Sequence, residues 1–551
     1  MPAHPLSFAV LKTMPTFLPT ALAALSLAAT TFVAYAQATE PAIRAAAVAN
    51  SPRLRALDFT PFAAALDALP AERTAALDEL LRKATITDLQ AALRAGQLTA
   101  TELTLYFLQR TRRFDERLRT LVELNPHALG EARAADARRK SGKPLGAMDG
   151  IPVTLKDNIG TAGPMHTTAG AELLLEHVAS RDAPLVAQLR AAGAVILGKA
   201  NLSEWAGVVA LTPPHMGGSS AVGGQTLNPH GAALTGGSSA GSAAGTAARL
   251  TMVSVGTETS GSLITPSSWN GVVGMKPSRD RVSGAGVIPL IKANDSAGPI
   301  GRSVTDVAVL LGAIAQDRGD YTRHLQHDAL DGVAVGVLAD EIVQTEGNTA
   351  LLQAASGTLV AAGASLRPVT LGPRPSALAD GNFLAFMAAG LRHDILGYVA
   401  ALGGPVKSVQ DLVAYDAAQP QRRQPFGANL LGGLAPMSAQ IGAADYAAMA
   451  QALRLAASTQ LDAAFASKKV QVVVSFENLH SMQYATAGYP AITVPLGLRT
   501  RGGMAAQIGA KAEGMPVGIT FIGRPGDDAR LLGYAYAFEQ ATRLRVDPVL
   551  P

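Results

Sequence analysis

The stretch Gly236-Gly237-Ser238-Ser239-Ala240-Gly241-Ser242 precedes a short apolar run and a second cluster, Gly256-Thr257-Glu258-Thr259-Ser260-Gly261-Ser262. Both follow the segment Gly150-Ile151-Pro152-Val153-Thr154-Leu155-Lys156-Asp157-Asn158, which is apolar up to its lysine. Glycine permits backbone conformations that are closed to other residues, and small side chains let a substrate approach the backbone. The three segments therefore indicate loops at strand ends that present hydroxyls and a lysine.

Short apolar runs alternate with helical patterns along the rest of the chain. The runs are Ile151 to Leu155, Ala194 to Leu197, Met252 to Val255, Val333 to Leu338, Val470 to Ser475, Ala491 to Pro495 and Val517 to Ile522. Runs of this length that alternate with helices are typical of buried strands in a parallel or mixed sheet. The sequence therefore predicts an α/β fold, in which helices cover both faces of one large mixed, twisted β-sheet.

Helical patterns flank this predicted sheet. Residues 37–84 predict a helical lead-in, and the capping-box spacing of Thr99 and Glu102 predicts a helix that begins there and ends near residue 113. The region 344–460 is rich in Ala and Gly and lacks a strong strand pattern. We interpret it as a helical insertion over the active site, within a main domain that spans residues 85–545.

Composition excludes several classes of function. The chain has 551 residues, of which 48% are hydrophobic and 16% charged, which suits a globular protein. Its net charge is only +4 and its basic residues are scattered, so nucleic-acid binding has little support. Cysteine is absent and the ten histidines show no metal-ligand spacing. We therefore expect no metal and no other cofactor.

The N-terminus predicts export. Lys12 precedes an apolar stretch from Phe17 to Val33, which ends in the small-x-small sites Ala34-Tyr35-Ala36 and Ala36-Gln37-Ala38. This pattern is typical of a secretory signal peptide. We expect residues 1–36 to be removed, the mature chain to have no stable membrane insertion, and the protein to be periplasmic or secreted.

Cleavage of an amide needs a nucleophile, a proton carrier and donors for the oxyanion. Ser262 follows an apolar run and a glycine turn, and the backbone N–H groups of Thr259, Ser260, Gly261 and Ser262 could converge on one oxygen. The alternative for this cluster is an ordinary surface turn. Lys156 would have to lose its charge to act as a base, which burial favours. Its alternative is an ion pair with Asp157.

Together the three segments resemble the amidase signature family, and the resemblance covers about residues 85 to 545. It extends to Gly271-Val272-Val273-Gly274-Met275-Lys276-Pro277, Asp295 to Ser303 and Ala487 to Pro495, and it is strongest to the peptide-amidase-like branch. The resemblance implies a hydrolase of small-molecule amides that needs no cofactor. It further implies that Ser262 is the nucleophile, that Ser238 follows a cis peptide and relays a proton, and that Lys156 is the base.

Two alternatives of other kinds remain. Gly237-Ser238-Ser239-Ala240-Gly241 matches the nucleophile elbow of α/β-hydrolase esterases, with Ser239 as nucleophile and one of the downstream histidines as base: His324, His327, His393 or His480. An exported solute-binding protein could instead use the glycine–serine loops only to hold a ligand. The sequence does not identify the amide, the leaving group or the oligomeric state.

Overall fold

The computed structural model describes residues 53–210, 217–231, 234–338, 346–499 and 514–550. Its strands are β1 (Leu121–Leu124), β2 (Pro152–Lys156), β3 (Val195–Ala200), β4 (Ser219–Ser220), β5 (Gly224–Gln225), β6 (Val253–Glu258), β7 (Val273–Lys276), β8 (Ser296–Gly301), β9 (Ala334–Leu338), β10 (Ser365–Val369), β11 (Val472–Phe476), β12 (Ala491–Leu498) and β13 (Pro516–Ile522). The predicted signal peptide, residues 1–36, and the start of the predicted lead-in lie outside the described residues.

The α-helices occur before, between and after these strands. They are α1 (Ala63–Asp67), α2 (Ala71–Lys83), α3 (Ile86–Arg94), α4 (Ala100–Leu118), α5 (Ala128–Lys140), α6 (Pro184–Ala191), α7 (Ala240–Ala247), α8 (Ile264–Trp269), α9 (Val304–Ile314), α10 (Glu346–Ala361), α11 (Asp380–Gly390), α12 (Leu396–Ala401), α13 (Val409–Ala418), α14 (Pro420–Arg423), α15 (Asn429–Ser438), α16 (Ala443–Ser467), α17 (Ser481–Ala487) and α18 (Asp528–Thr542). None of the helices in the described ranges is long and apolar enough to cross a membrane.

Eleven strands form one mixed sheet in the order β1-β3-β2-β6-β8-β7-β12-β13-β11-β9-β10. Strand β2 lies between β3 and β6 and is parallel to both. Strand β8 separates β6 from β7 and is antiparallel to each. The predicted large mixed sheet is therefore confirmed. Because β2 and β6 are parallel neighbours, their carboxyl ends meet at the same edge of the sheet, which brings Lys156 next to Thr257 and Glu258.

All seven predicted strands are present, with ends that shift by a few residues, whereas four strands of the large sheet were not predicted. Two of these, β7 and β8, contain glycine or proline and pair with strands on both sides, so the pairing overrides weak strand propensity. Strand β10 lies inside the region predicted to be a helical insertion. It is an edge strand, and it contains the polar residues and proline that edges tolerate.

Helix α4 begins at the predicted capping box. The Glu102 N–H donates to Thr99 Oγ1 at 3.0 Å, and the Thr99 N–H donates to the Glu102 carboxylate at 2.8 Å. The helix continues to Leu118 rather than ending near residue 113. Leu118 packs with Leu250 beneath it, and Arg119 then ends the helix with φ +54°.

Two apolar clusters make up most of the core. The main cluster surrounds the sheet and includes Leu66 and Leu81 from the N-terminal helices as well as Leu359 from α10. The predicted insertion therefore begins with elements that belong to the α/β body. A second cluster joins helices α11, α12, α13, α15 and α16 to Trp205 and Leu290. Helix α16 packs against the edge strand β10 and so joins this helical region to the sheet.

Candidate active site

Lys156 is the last residue of β2, and its side chain is buried. The strand is buried along its whole length, so the lysine reaches Ser238 and β6 without crossing solvent. The Nζ atom lies 2.7 Å from Ser238 Oγ, 2.8 Å from Thr257 Oγ1 and 3.1 Å from the Thr257 carbonyl oxygen. The structure thus brings two of the three predicted catalytic side chains, Lys156 and Ser238, into direct contact.

Burial lowers the pKa of Lys156 from its ordinary value of 10.5 to about 7, and the carboxyl groups of Asp295 and Glu258 oppose this shift. A neutral amine has two N–H donors and one lone pair. Its donors match the two Thr257 oxygens, and the lone pair is then left to accept the Ser238 O–H. The same three contacts also fit the three donors of the charged ammonium, so Lys156 can keep its position in both protonation states.

The peptide bond between Gly237 and Ser238 is cis, as the resemblance implies. The Ser238 carbonyl accepts a hydrogen bond from the Ser203 N–H at 3.0 Å. Gly237 has no room for a side chain, because a Cβ there would lie 2.4 Å from Ser203 Oγ and 3.0 Å from the Gly217 Cα. Close packing on this loop explains why two glycines precede Ser238.

Ser239 is fully buried, and its hydroxyl is occupied by the backbone of β6. The hydroxyl donates to the Thr257 carbonyl at 3.0 Å and accepts the Thr257 N–H at 3.2 Å. Among the histidines named as possible bases, His480 pairs with Ser475 and His393 with the Ile441 carbonyl. Ser239 therefore holds the loop against β6, and within the described ranges its hydroxyl contacts the Thr257 backbone and no histidine, contrary to the nucleophile-elbow alternative.

Ser262 lies in the turn between β6 and α8. Glu258 Oε2 accepts hydrogen bonds from the N–H groups of Leu263 at 2.8 Å and Ile264 at 3.1 Å, and these two bonds hold the ends of the turn together. Gly261 has φ +85°, a left-handed conformation that favours glycine. The Ser262 side chain is half-buried and makes no hydrogen bond with the part of the chain that the structure describes. The cluster is therefore a turn that hydrogen bonds to Glu258 hold in place, and not an ordinary surface loop.

The backbone N–H groups of the same turn are the predicted donors to the oxyanion. The N–H groups of Thr259, Ser260 and Ser262 donate to no backbone acceptor within the described residues. The Gly261 N–H instead lies close enough to the Glu258 carboxyl to lower its pKa, although burial raises that pKa overall. Three of the four N–H groups predicted for the oxyanion are therefore available to an incoming oxygen.

Several residues that surround this turn had no predicted role. Thr257 holds Lys156, and Asn158 Nδ2 donates to Thr257 Oγ1 at 3.1 Å. Thr259 Oγ1 donates to Asp295 Oδ1 at 2.5 Å. Burial raises the pKa of Asp295 to about 6. Both threonines lie in the quoted cluster, so their hydroxyls were visible in the sequence, but their partners come from distant segments.

Asp157 does not pair with Lys156. Neighbouring residues at the end of a strand point to opposite faces of the sheet, and Asp157 instead forms a buried ion pair with Lys199, 3.4 Å from its Nζ. Thr168 donates to the other carboxylate oxygen of Asp157. The alternative interpretation of Lys156 as half of a Lys–Asp pair is therefore wrong. In the described part of the chain, no group of three or more His, Asp or Glu side chains is arranged to hold a metal ion.

Comparison with known proteins agrees with this geometry. The Amidase family model matches residues 102–532. A probable amidase of Arabidopsis thaliana is 33% identical over 493 residues, covering 85% of this chain and 92% of that protein. One of the subunits of the glutamyl-tRNA(Gln) amidotransferase of Chloroflexus aurantiacus is also 33% identical, over 508 residues, with 84% and 97% covered.

Solved structures of amidases are also similar to this chain. The peptide amidase of Stenotrophomonas maltophilia superposes with a TM-score of 0.77 at 36% identity, covering 85% of this chain and 99% of that one. An amidase family protein from Bacillus anthracis gives 0.81 at 32% identity, with 91% and 100% covered. The chain belongs to the amidase signature family and is an amide-hydrolysing enzyme.

Proposed function

We propose that this enzyme hydrolyses a linear carboxamide through an acyl-enzyme on Ser262, with Ser238 as proton relay and Lys156 as base. The observation that carries this proposal is the 2.7 Å contact between Lys156 Nζ and Ser238 Oγ. It is supported by the burial that lowers the pKa of that lysine to about 7, because a base of this pKa is half neutral near neutral pH.

The proposed reaction has two halves. Ser262 Oγ attacks the amide carbon and passes its proton to Ser238, which passes its own proton to Lys156. The N–H groups of Thr259, Ser260 and Ser262 stabilise the oxyanion, and the amine leaves with a proton returned through Ser238. Water then attacks the ester on Ser262 by the same relay, which releases the carboxylate and restores the three side chains.

Two variants test this assignment. Ser262→Ala should lower kcat by several orders of magnitude with little loss of stability, since it removes one half-buried hydroxyl. A fluorophosphonate should label Ser262 in the wild-type protein. Ser239→Ala is the matched control: it should lose stability, because its hydroxyl bridges two backbone groups of Thr257, yet still be labelled at Ser262. An adduct on Ser239, or normal turnover by Ser262→Ala, contradicts the proposal.

We also propose that the protein is exported to the periplasm or secreted. The support is the apolar stretch from Phe17 to Val33 and its two small-x-small sites. N-terminal sequencing of the mature protein should give Gln37 or Thr39 as the first residue. Recovery of residues 1–30 on soluble protein from the cytoplasm contradicts export and leaves the proposed chemistry untouched.

A further inference from the structure

Residues 288–295, the β7–β8 segment, contact both the end of β2 and the turn that carries the proposed nucleophile. At the start of the segment, the Ile288 N–H donates to the Asn158 carbonyl at 2.7 Å, and Asn158 Nδ2 donates to the Ile288 carbonyl at 3.2 Å. At its end, Asp295 Oδ1 accepts the Thr259 hydroxyl at 2.5 Å. The segment therefore lies against the ends of both β2 and β6.

Both carboxyl oxygens of Asp295 have partners. Oδ2 accepts the N–H groups of Leu290 at 2.8 Å and Ile291 at 3.1 Å, while Oδ1 is occupied by Thr259. In the part of the chain that the structure describes, neither oxygen is within hydrogen-bond distance of Lys156 or of a serine. Asp295 therefore contacts the nucleophile turn but has no direct part in the proposed proton transfer.

The β7–β8 segment is also held from the helical region. Asp394 Oδ2 accepts the Lys292 N–H at 2.8 Å and the Tyr446 hydroxyl at 2.5 Å. Asp394 is buried in the π-helical turn between α11 and α12, and Tyr446 belongs to α16. A side chain can position a neighbour only if its own place is fixed. These contacts give Asp295 such a fixed base.

Thr259 is the first residue after β6, and its side chain is buried. Its N–H is one of the three donors proposed for the oxyanion. Glu258 holds the far end of the turn, through hydrogen bonds to the start of α8. The contact with Asp295 holds the near end, because a fixed Thr259 hydroxyl restricts the rotation of its side chain and the position of its Cα.

We propose that Asp295 is a positioning residue of the oxyanion site, which holds the Thr259 hydroxyl and thereby aims the Thr259 N–H at the oxyanion. This inference rests on the proposed function, which places the oxyanion at this turn. Donors that are already aimed at the developing charge need no reorganisation during the reaction. Loss of the contact should therefore lower kcat and leave KM nearly unchanged.

Two variants of Thr259 test the contact. Thr259→Val removes the hydroxyl and keeps the shape of the side chain. It should lower kcat for a carboxamide, and the rate at which a fluorophosphonate labels Ser262, by about tenfold or more, because both reactions place negative charge on an oxygen in the same site. Thr259→Ser keeps the hydroxyl and should retain most of both rates. Rates are compared at about pH 9, where Lys156 is mostly neutral, because the charge of Asp295 opposes the lowering of its pKa.

Asp295→Asn tests the other partner. An amide has a single acceptor oxygen, so it cannot accept the Thr259 hydroxyl and the two backbone N–H groups as the carboxylate does. If the two residues act through one hydrogen bond, the double variant should lose little more than the more impaired single variant. Thr101→Val is the matched control, since Thr101 Oγ1 donates to Asp136 Oδ2 at 2.6 Å between α4 and α5. It should lose stability and keep both rates.

The inference is overturned if Thr259→Val keeps the wild-type rates or changes KM alone, or if Thr259→Ser loses as much as Thr259→Val. It is also overturned if the losses of the two single variants multiply in the double variant. Should Asp295→Asn fail to fold, the two Thr259 variants decide alone. Absence of a fluorophosphonate label on Ser262 in the wild type contradicts the proposed function instead, so the two failures are distinguishable.

Discussion

Lys156 combines three properties that a lysine on a protein surface lacks. It is buried, it contacts a serine hydroxyl at 2.7 Å, and its other partners are the two uncharged oxygens of Thr257. Its partners in the described part of the chain include no carboxylate within hydrogen-bond distance, since Asp157 pairs with Lys199. Neutral oxygens stabilise an ammonium group less than a carboxylate would, so burial has the largest effect on the pKa of Lys156.

The pKa of Lys156 predicts the pH dependence of activity. With a pKa of about 7 in the folded protein, the neutral form increases as pH rises through that value. We expect kcat/KM for an amide to rise with pH and to level off above about pH 8. Lys156→Ala should slow amides more than activated esters, because an amine needs a proton to leave. Equal losses on a matched amide and ester contradict the role of base.

The same shift predicts how Lys156 affects stability. Between the folded pKa of about 7 and the ordinary value of 10.5, the unfolded chain binds more protons than the folded one. The free energy of unfolding therefore rises with pH through this window. Lys156→Met removes the effect, so its stability relative to wild type should fall as pH rises from about 7 to 10.5 in urea titrations. A difference that stays constant with pH indicates a lysine with an ordinary pKa.

At the scale of elements, the turn from β6 to α8 carries the proposed nucleophile, and one carboxylate shapes it. Glu258 ends β6 and its Oε2 accepts the first N–H groups at the start of α8. The turn is thus closed by a side chain from within the same segment. Lys276 lies near this carboxyl, and the attraction between them partly offsets the burial that lowers the lysine's pKa to about 8.

Two replacements of Glu258 should separate the effect of its hydrogen bonds from the effect of its charge. Glu258→Ala leaves the N–H groups of Leu263 and Ile264 buried and unpaired, so we expect a loss of about 2–4 kcal/mol and a lower kcat. Glu258→Gln keeps an acceptor oxygen on a side chain of the same shape, so it should retain most of the stability and most of kcat. Thermal unfolding and kcat measured on the two variants test this. A kcat that falls equally in both would point to a need for the negative charge.

The sequence predicted the elements that have strong local patterns and missed those that depend on pairing. The apolar runs of β2 and β6 and the Thr99 cap of α4 were readable, because strand burial and capping leave a trace within a few residues. Strand β8, with the sequence Ser-Ala-Gly-Pro-Ile-Gly, has no such pattern and exists because β6 and β7 flank it.

The candidate site likewise combines residues that the sequence identifies with partners that only tertiary packing sets. Lys156, Ser238 and Ser262 could be named from the order of their segments, and the side chains of the first two are in contact. The acceptor of the Thr259 hydroxyl, Asp295, lies 36 residues away along the chain. Such partners are set by tertiary packing, which no spacing rule encodes.

At the scale of the whole molecule, one acidic side chain ties the helical region to the body of the sheet. Glu172 accepts hydrogen bonds from Arg422 at 2.7 Å, Arg423 at 2.9 Å and the Tyr415 hydroxyl at 2.7 Å. Arg423 also stacks on the Tyr415 ring, 3.5 Å from its centroid. These contacts hold α13 and α14 against the segment between β2 and α6.

Glu172→Ala should therefore loosen α13 and α14 without changing the proposed catalytic groups. We expect a stability loss of about 2 kcal/mol, because two guanidinium groups lose a partly buried partner. Hydrogen exchange should increase in α13 to α15 but not in β2 or β6. Asp67→Asn is the control: it breaks an exposed pair with Arg112, 3.1 Å apart, and should change none of these. Unchanged exchange in α13 to α15 would mean that apolar packing alone holds the helices in place.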